Sequence, residues 1–287
     1  MMSEAWSPQR AANRISHILN AFSAAQGTPR FPIDVPSLAL EAGKLFNWDD
    51  HITSVTAANI NQFEGALYPD EDKKRWLLLY NEAMPSLGRV RFTQAHELGH
   101  YILHRQRKDK FECTGHDMLD WSDETNIEAQ ADLFASYLLM PIDDFRNQLN
   151  AAVDLDILGH CADRYGVSLT AAILKWLQFT EDKAVLVLSH DGFMDWACSS
   201  KPALGAGAYF ATRKSIIEIP ESSVCADADT LHDRRGRVIA ASTWFPYAEQ
   251  ALTVREMKIT AEQYGTTLTL LHLPHYADVW PSREEDA

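Results

Sequence analysis

Two histidines and a glutamate stand together at His96-Glu97-Leu98-Gly99-His100. Side chains four residues apart lie one above the other on a helix face, so both imidazoles can reach one metal ion. Glu97 is angled towards the same region. A carboxylate there can take a proton from a water molecule activated by the ion. Catalytic zinc commonly takes three protein ligands, so a third is required. His104 extends the row, but it lies about 12 Å along the axis from His96. One ion bound to His96, His100 and His104 would need a nearly straight arrangement, so His104 reads as a structural residue near the helix end.

Glu128 is better placed. It lies on the next expected helix and flanks that helix's apolar stripe of Ile127, Ala131, Phe134, Ala135, Leu138 and Leu139. An inward carboxylate without a partner is costly, and coordination of a dication removes that cost. Asp132, four residues on, shares the face and is suited to accept the second ring N–H of a ligating histidine. Asp117, Asp120, Asp123 and Glu124 lie on or beside an irregular stretch and are weaker ligand candidates. Cys113 and His116 lie between the two helices; a fourth ligand from there would close the site to chemistry.

The elements that must position these residues follow from periodicity and punctuation. Helices are expected over 9–26, with Ile15, Ile18, Leu19 and Phe22 on one face, and over 36–46, 89–104 and 124–140. Residues 75–81 read as a strand. Two further helices over 154–180 flank the turn Tyr165-Gly166-Val167-Ser168. Beyond residue 182 the pattern changes. A hairpin turning at His190-Asp191-Gly192 and strands in RVIAAS, ALTVREMKI and TLTLLHL are expected. The fold class is therefore α+β, with a first domain over 1–150, a helix-turn-helix-like segment over 151–182 and a β-rich α+β domain over 183–287.

Composition sets the limits. The chain has 287 residues, 46% hydrophobic and 23% charged, which is the balance of a globular protein and not of a disordered one. Forty acidic against 26 basic side chains give a formal charge of −14, so a general nucleic-acid-binding role would need a locally basic face. Within the helix-turn-helix-like segment, Ser168 to Phe179 offers Lys175 as its one cation. Reading DNA normally takes several Arg, Lys, Asn or Gln residues, so direct DNA binding is not expected there. The basic run Arg105, Arg107, Lys108 and Lys110 is read as a solvated loop. The four scattered cysteines form no Cys-x-x-Cys pair and suit a reduced, cytoplasmic protein. No run of 18 apolar residues spans a membrane.

Taken together, RFTQAHELGHYILH and EAQADLFASYLLMP resemble the ImmA/IrrE family of zinc metallopeptidases. PIDVPSLALEAG upstream and TWF, TVREM and TLTLLHLP near the C-terminus extend the likeness more weakly. The resemblance implies a zincin-like core, one zinc ion held by His96, His100 and Glu128, and Glu97 as the catalytic base. Manganese and iron also suit such ligands. Many members carry Glu where this chain has Gln130. The family's characterised members cleave a repressor with a helix-turn-helix domain and so switch on stress or mobile-element genes; a protein substrate of that kind is the implied partner. Some members carry a GAF-like C-terminal domain, which makes residues 183–287 a candidate sensor or partner-binding domain. Tyr101, His116 and Tyr137 are candidates for stabilising the oxyanion or touching substrate. The strand at 76–80, just before the histidine helix, is expected to pair with an extended substrate. The competing reading is a DNA-binding or ligand-sensing regulator with a vestigial metal site.

Overall fold

The computed structural model describes residues 6–59, 63–84, 86–107, 110–113, 127–149 and 153–281, with the backbone alone at 112 and 113. The chain is α+β and divides into two compact units. The first comprises Met1–Gln148 with Cys161–Ser168, and the second Leu149–His160 with Leu169–Ala287. Among the described residues no helix is long and apolar enough to cross a membrane.

In the first unit α1 (Pro8–Gln26) and α2 (Val35–Leu45) come first. Strands β1 (His51–Ala58), β2 (Gly65–Pro69) and β3 (Arg75–Asn81) follow. Next are α3 (Leu87–His104), β4 (Phe111–Cys113), α4 (Ile127–Leu139) and α5 (Ile142–Gln148). The sheet order is β1-β3-β2-β4. β1 runs parallel to β3, while β2 is antiparallel to both β3 and β4. Both edges of β3 are thus occupied, and the expectation that this strand receives a substrate is corrected: it has no free row of N–H and C=O groups. Among the described residues, the strand at the sheet margin on the other side of β2 is β4.

Helix α3 starts at Ser86, whose hydroxyl accepts the Arg89 N–H at 3.2 Å. From Thr93 to Ile102 every side chain is buried, because the helix lies between the sheet and α4. Such a helix is apolar nearly all round, and polar residues on it need a reason. Gly99 sets its distance from α4. A Cβ there would stand 3.0 Å from the Phe134 ring and 3.2 Å from the Ala131 backbone. α1 also packs on α4. Its buried face is Ala11, Ala12, Ile15 and Ser16, whereas Phe22, expected inside, is 57% exposed. Small residues allow the close helix contact; the last turns of α1 run past it.

The basic run after α3 is not uniformly solvated. Arg105 is buried, with its guanidinium 3.3 Å over the Trp48 ring and Nε donating to Asp50 at 2.9 Å. It pins the end of α3 to the segment entering β1.

The second unit is built on β5 (Lys183–His190), β6 (Phe193–Ser199), β7 (His232–Ala240), β8 (Thr253–Ala261) and β9 (Thr266–Leu273). They form an antiparallel sheet ordered β6-β5-β9-β8-β7. The β5–β6 turn has positive φ at both Asp191 and Gly192, the conformation a two-residue hairpin demands. One face of the sheet carries a core of Val185, Val187, Val254, Leu271, Trp244 and Phe245. Short helix α8 (Lys201–Gly205) packs on β5. Helices α6 (Leu155–Tyr165) and α7 (Leu169–Phe179) are the expected pair in the middle of the chain.

Because the Cβ at position 99 would meet backbone atoms of α4, Gly99→Val must push the helices apart. A loss of about 2 kcal/mol or more is expected from overpacking, read by urea denaturation of the metal-free protein.

Candidate metal centre

The close α3–α4 contact brings three side chains to one point. His96 Nε2 and His100 Nε2 are 2.9 Å apart, and Glu128 Oε2 lies 3.2 Å from the first and 3.1 Å from the second. His96, His100 and Glu128 form a group that could hold a metal ion. A tetrahedral ion with bonds near 2.05 Å would set its ligand atoms roughly 3.3 Å apart. The observed triangle is slightly tighter than that. One proton can bridge at most one side of it, whereas a cation serves all three atoms at once. The donor set fits a divalent ion, with two neutral nitrogens and one anionic oxygen.

Each histidine is held from behind. His96 Nδ1 lies 2.8 Å from Asp132 Oδ1, which fixes the proton on Nδ1 and directs the Nε2 lone pair to the centre. His100 stacks on Phe111 of β4, centroids 4.5 Å apart and planes 20° apart. Its Nδ1 lies 3.1 Å from His104 Nδ1, and His104 Nε2 lies 3.1 Å from Gln130 Oε1. Asp132 therefore stands where its spacing placed it. The row of His104 behind His100 was visible in the sequence, but its partner Gln130 and the Phe111 stack were not. β4 is three residues long, too short to show alternation.

Electrostatics keep the imidazoles available. Burial pushes the His100 pKa down to about 3, against the opposing pull of Glu128. His104 is also lowered, mainly by burial. Burial raises the Glu128 pKa, but its contacts with His100 and His96 outweigh that and hold its carboxyl below the usual range.

Glu97 differs. It is fully buried, and neither carboxylate oxygen has a hydrogen-bond partner among the described residues. Burial lifts its pKa from 4.5 to about 8, opposed by His96 and helped by the charge of Glu128. Space for the carboxylate comes from β2. A Cβ on Gly65 would fall 2.7 Å from Glu97 Oε1 and 2.5 Å from Thr93 Cγ2. Gly65 was not foreseen, since nothing local marks a strand glycine as facing a helix side chain.

The remaining candidates fare unequally. Tyr101 is removed from the centre: it is fully buried, and its hydroxyl donates to the Asp50 carbonyl at 2.6 Å. One residue past His100 turns it about 100° around the helix, towards β1. Tyr137 is half-buried and nine residues beyond Glu128, about 13 Å along α4. His116, Asp117, Asp120, Asp123 and Glu124 lie outside the described residues, as does the Cys113 side chain.

Residues 49–177 match the family model described as the IrrE N-terminal-like domain, Peptidase_M78. Over this segment the chain is similar to the IrrE N-terminal-like domain. The match bears out the likeness read from the two motif blocks, and it contains every member of the centre. No curated protein matches the chain. Among solved structures, one described as a Mycobacterium tuberculosis transcriptional regulator is similar at 13% identity and a TM-score of 0.45. That alignment covers 93% of this chain and 82% of that one.

A buried carboxyl with a raised pKa makes the metal-free domain pH-sensitive. Its folded pKa, about 8, exceeds the unfolded value near 4.5. The neutral form's contribution is complete below about 4.5 and is lost as pH rises through 8. Glu97→Gln should therefore stabilise the metal-free protein relative to wild type at pH 8, on the order of 2–4 kcal/mol. The gap should close towards pH 4.5, as read by denaturant titration at both pH values.

Proposed function

We propose that the chain is a zinc-dependent endopeptidase of the ImmA/IrrE type, with residues 1–150 as its zincin-like catalytic domain. The observation that carries this reading is the convergence of His96, His100 and Glu128 beside a buried Glu97 that has no hydrogen-bond partner among the described residues. A structural metal site has no use for such a carboxyl, which costs stability wherever it is ionised.

A dication held by the three side chains supplies Lewis acidity towards water and the scissile carbonyl, and its charge favours the ionised form of Glu97. The other steps belong to the chain. Glu97 takes the proton from the attacking water and passes it to the leaving amine. Asp132 keeps the His96 ring in the orientation that aims Nε2 inward. Gly65 leaves the Glu97 carboxylate room to move between water and the leaving group. The margin of β4 supplies backbone groups for an extended substrate. Phe111 on that strand touches His100, so a peptide paired there would run past the centre.

The proposed substrate is a repressor with a helix-turn-helix domain, as the family resemblance implies. The chain's charge of −14 suits attraction to a basic, DNA-binding partner. Residues 183–287, with their own sheet and core, are proposed as a sensor or partner-binding domain. Free thiols at Cys161, Cys198 and Cys225 accord with a reducing, cytoplasmic setting. The competing DNA-reading role finds no support in α7. Its one cation, Lys175, is fully buried and unable to reach a phosphate.

The test is incubation with the repressor encoded beside this gene, followed by mass spectrometry of fragments. Wild type should cut at a defined bond, chelator should stop it, and added zinc should restore it. Glu97→Gln should keep the metal and lose about 100-fold or more in rate. A Glu97→Gln protein that keeps zinc and still cuts at the wild-type rate contradicts the assignment. Gly65→Ala, which crowds the same carboxylate, should keep zinc and lose rate through kcat with KM little changed.

A further inference from the structure

We propose that His104 and Gln130 act as positioning residues for His100, forming a hydrogen-bond wire whose direction decides whether His100 can bind a metal. This deepens the metallopeptidase reading and rests on it. Three observations define the wire. His104 is completely buried. Its Nδ1 faces His100 Nδ1 at 3.1 Å, and its Nε2 faces Gln130 Oε1 at 3.1 Å. All of its ring nitrogens are thereby engaged in one line from α4 to the centre.

Two nitrogens facing each other need one proton between them. If the Gln130 carbonyl oxygen accepts, His104 carries its proton on Nε2 and leaves Nδ1 bare. His104 Nδ1 then accepts from His100 Nδ1–H, and the His100 Nε2 lone pair points at His96 and Glu128. If the wire runs the other way, His104 Nδ1–H donates to His100. The His100 proton then sits on Nε2, inside the centre, where it blocks coordination. An acceptor at position 130 therefore selects the ligating tautomer. Asp132 does this for His96 directly, with a carboxylate at 2.8 Å. For His100 the same task passes through a second imidazole to a neutral amide.

The wire explains the third histidine of the row. It is too far along α3 to share the ion with His96, yet it is buried beside the ligand and cannot be a solvated helix end. The Phe111 ring stacked on His100 fixes the plane in which the wire must run.

Two measurements on the full chain test this. The first uses 15N NMR of the histidine rings in the metal-free wild-type protein. The expected state has the His100 proton on Nδ1 and the His104 proton on Nε2; a His100 proton resident on Nε2 overturns the proposal. The second measures zinc affinity by competition with a chromogenic chelator. Gln130→Met, of similar length but without an acceptor, should bind zinc about 10-fold more weakly. Gln130→Glu, which keeps an acceptor oxygen, should restore wild-type affinity. His104→Phe should weaken zinc at least as much as Gln130→Met. Equal zinc affinity in wild type and Gln130→Met, with both proteins melting alike, overturns the proposal. The outcomes separate it from the peptidase reading. Wild type that binds zinc but cuts nothing defeats that reading and leaves the wire standing, whereas cleavage with an indifferent position 130 does the reverse.

Discussion

The structure turns on the close approach of two helices at a residue without a side chain. Gly99 lets α3 settle against the Ala131 backbone of α4, and that contact sets the spacing of everything polar between them. At this distance two imidazoles and a carboxylate form a triangle with sides of 2.9–3.2 Å. Buried polar groups of this kind are expensive unless they are paired or hold a metal. The sequence places them at the close α3–α4 contact, where a single dication held by all three would offset that cost.

Around that triangle the protein distributes support unevenly. His96 is oriented by a buried carboxylate on the facing helix, His100 by a ring stack and a second histidine. Glu97 has no hydrogen-bond partner among the described residues. Orientation is useful for a ligand, which must not move. A group that exchanges protons gains from being unpaired, since no fixed bond must break first. The glycine on β2 completes this arrangement by leaving space where another residue would fix or displace the carboxylate.

Much of this was legible in the sequence because it depends on local spacing. The i, i+4 repeat of His96 and His100, and of Glu128 and Asp132, places each pair on one helix face whatever surrounds it. The hairpin at Asp191-Gly192 was legible for a similar reason, since positive φ at both residues restricts the choice of side chain. What escaped depends on tertiary contact. β1, β2 and β4 are short or partly exposed, and β1 with β3 and β2 with β4 join segments that are not neighbours in the chain. The role given to the strand at 76–80 failed because sequence cannot tell a central strand from an edge. Tyr101 looked like a site residue by proximity, yet one residue along a helix points elsewhere. Gln130 sits two residues from Glu128 and lacks any pattern of its own; only the position of His104 gives it meaning.

The central claim is that one divalent ion is held by two imidazoles and one carboxylate with a coordination position left over. X-ray absorption at the zinc edge of the zinc-loaded protein measures this directly. The expected spectrum shows two imidazoles and two further oxygen scatterers, all at about 2.0–2.2 Å. Sulfur at about 2.3 Å, or three or four imidazoles on the ion, would contradict it.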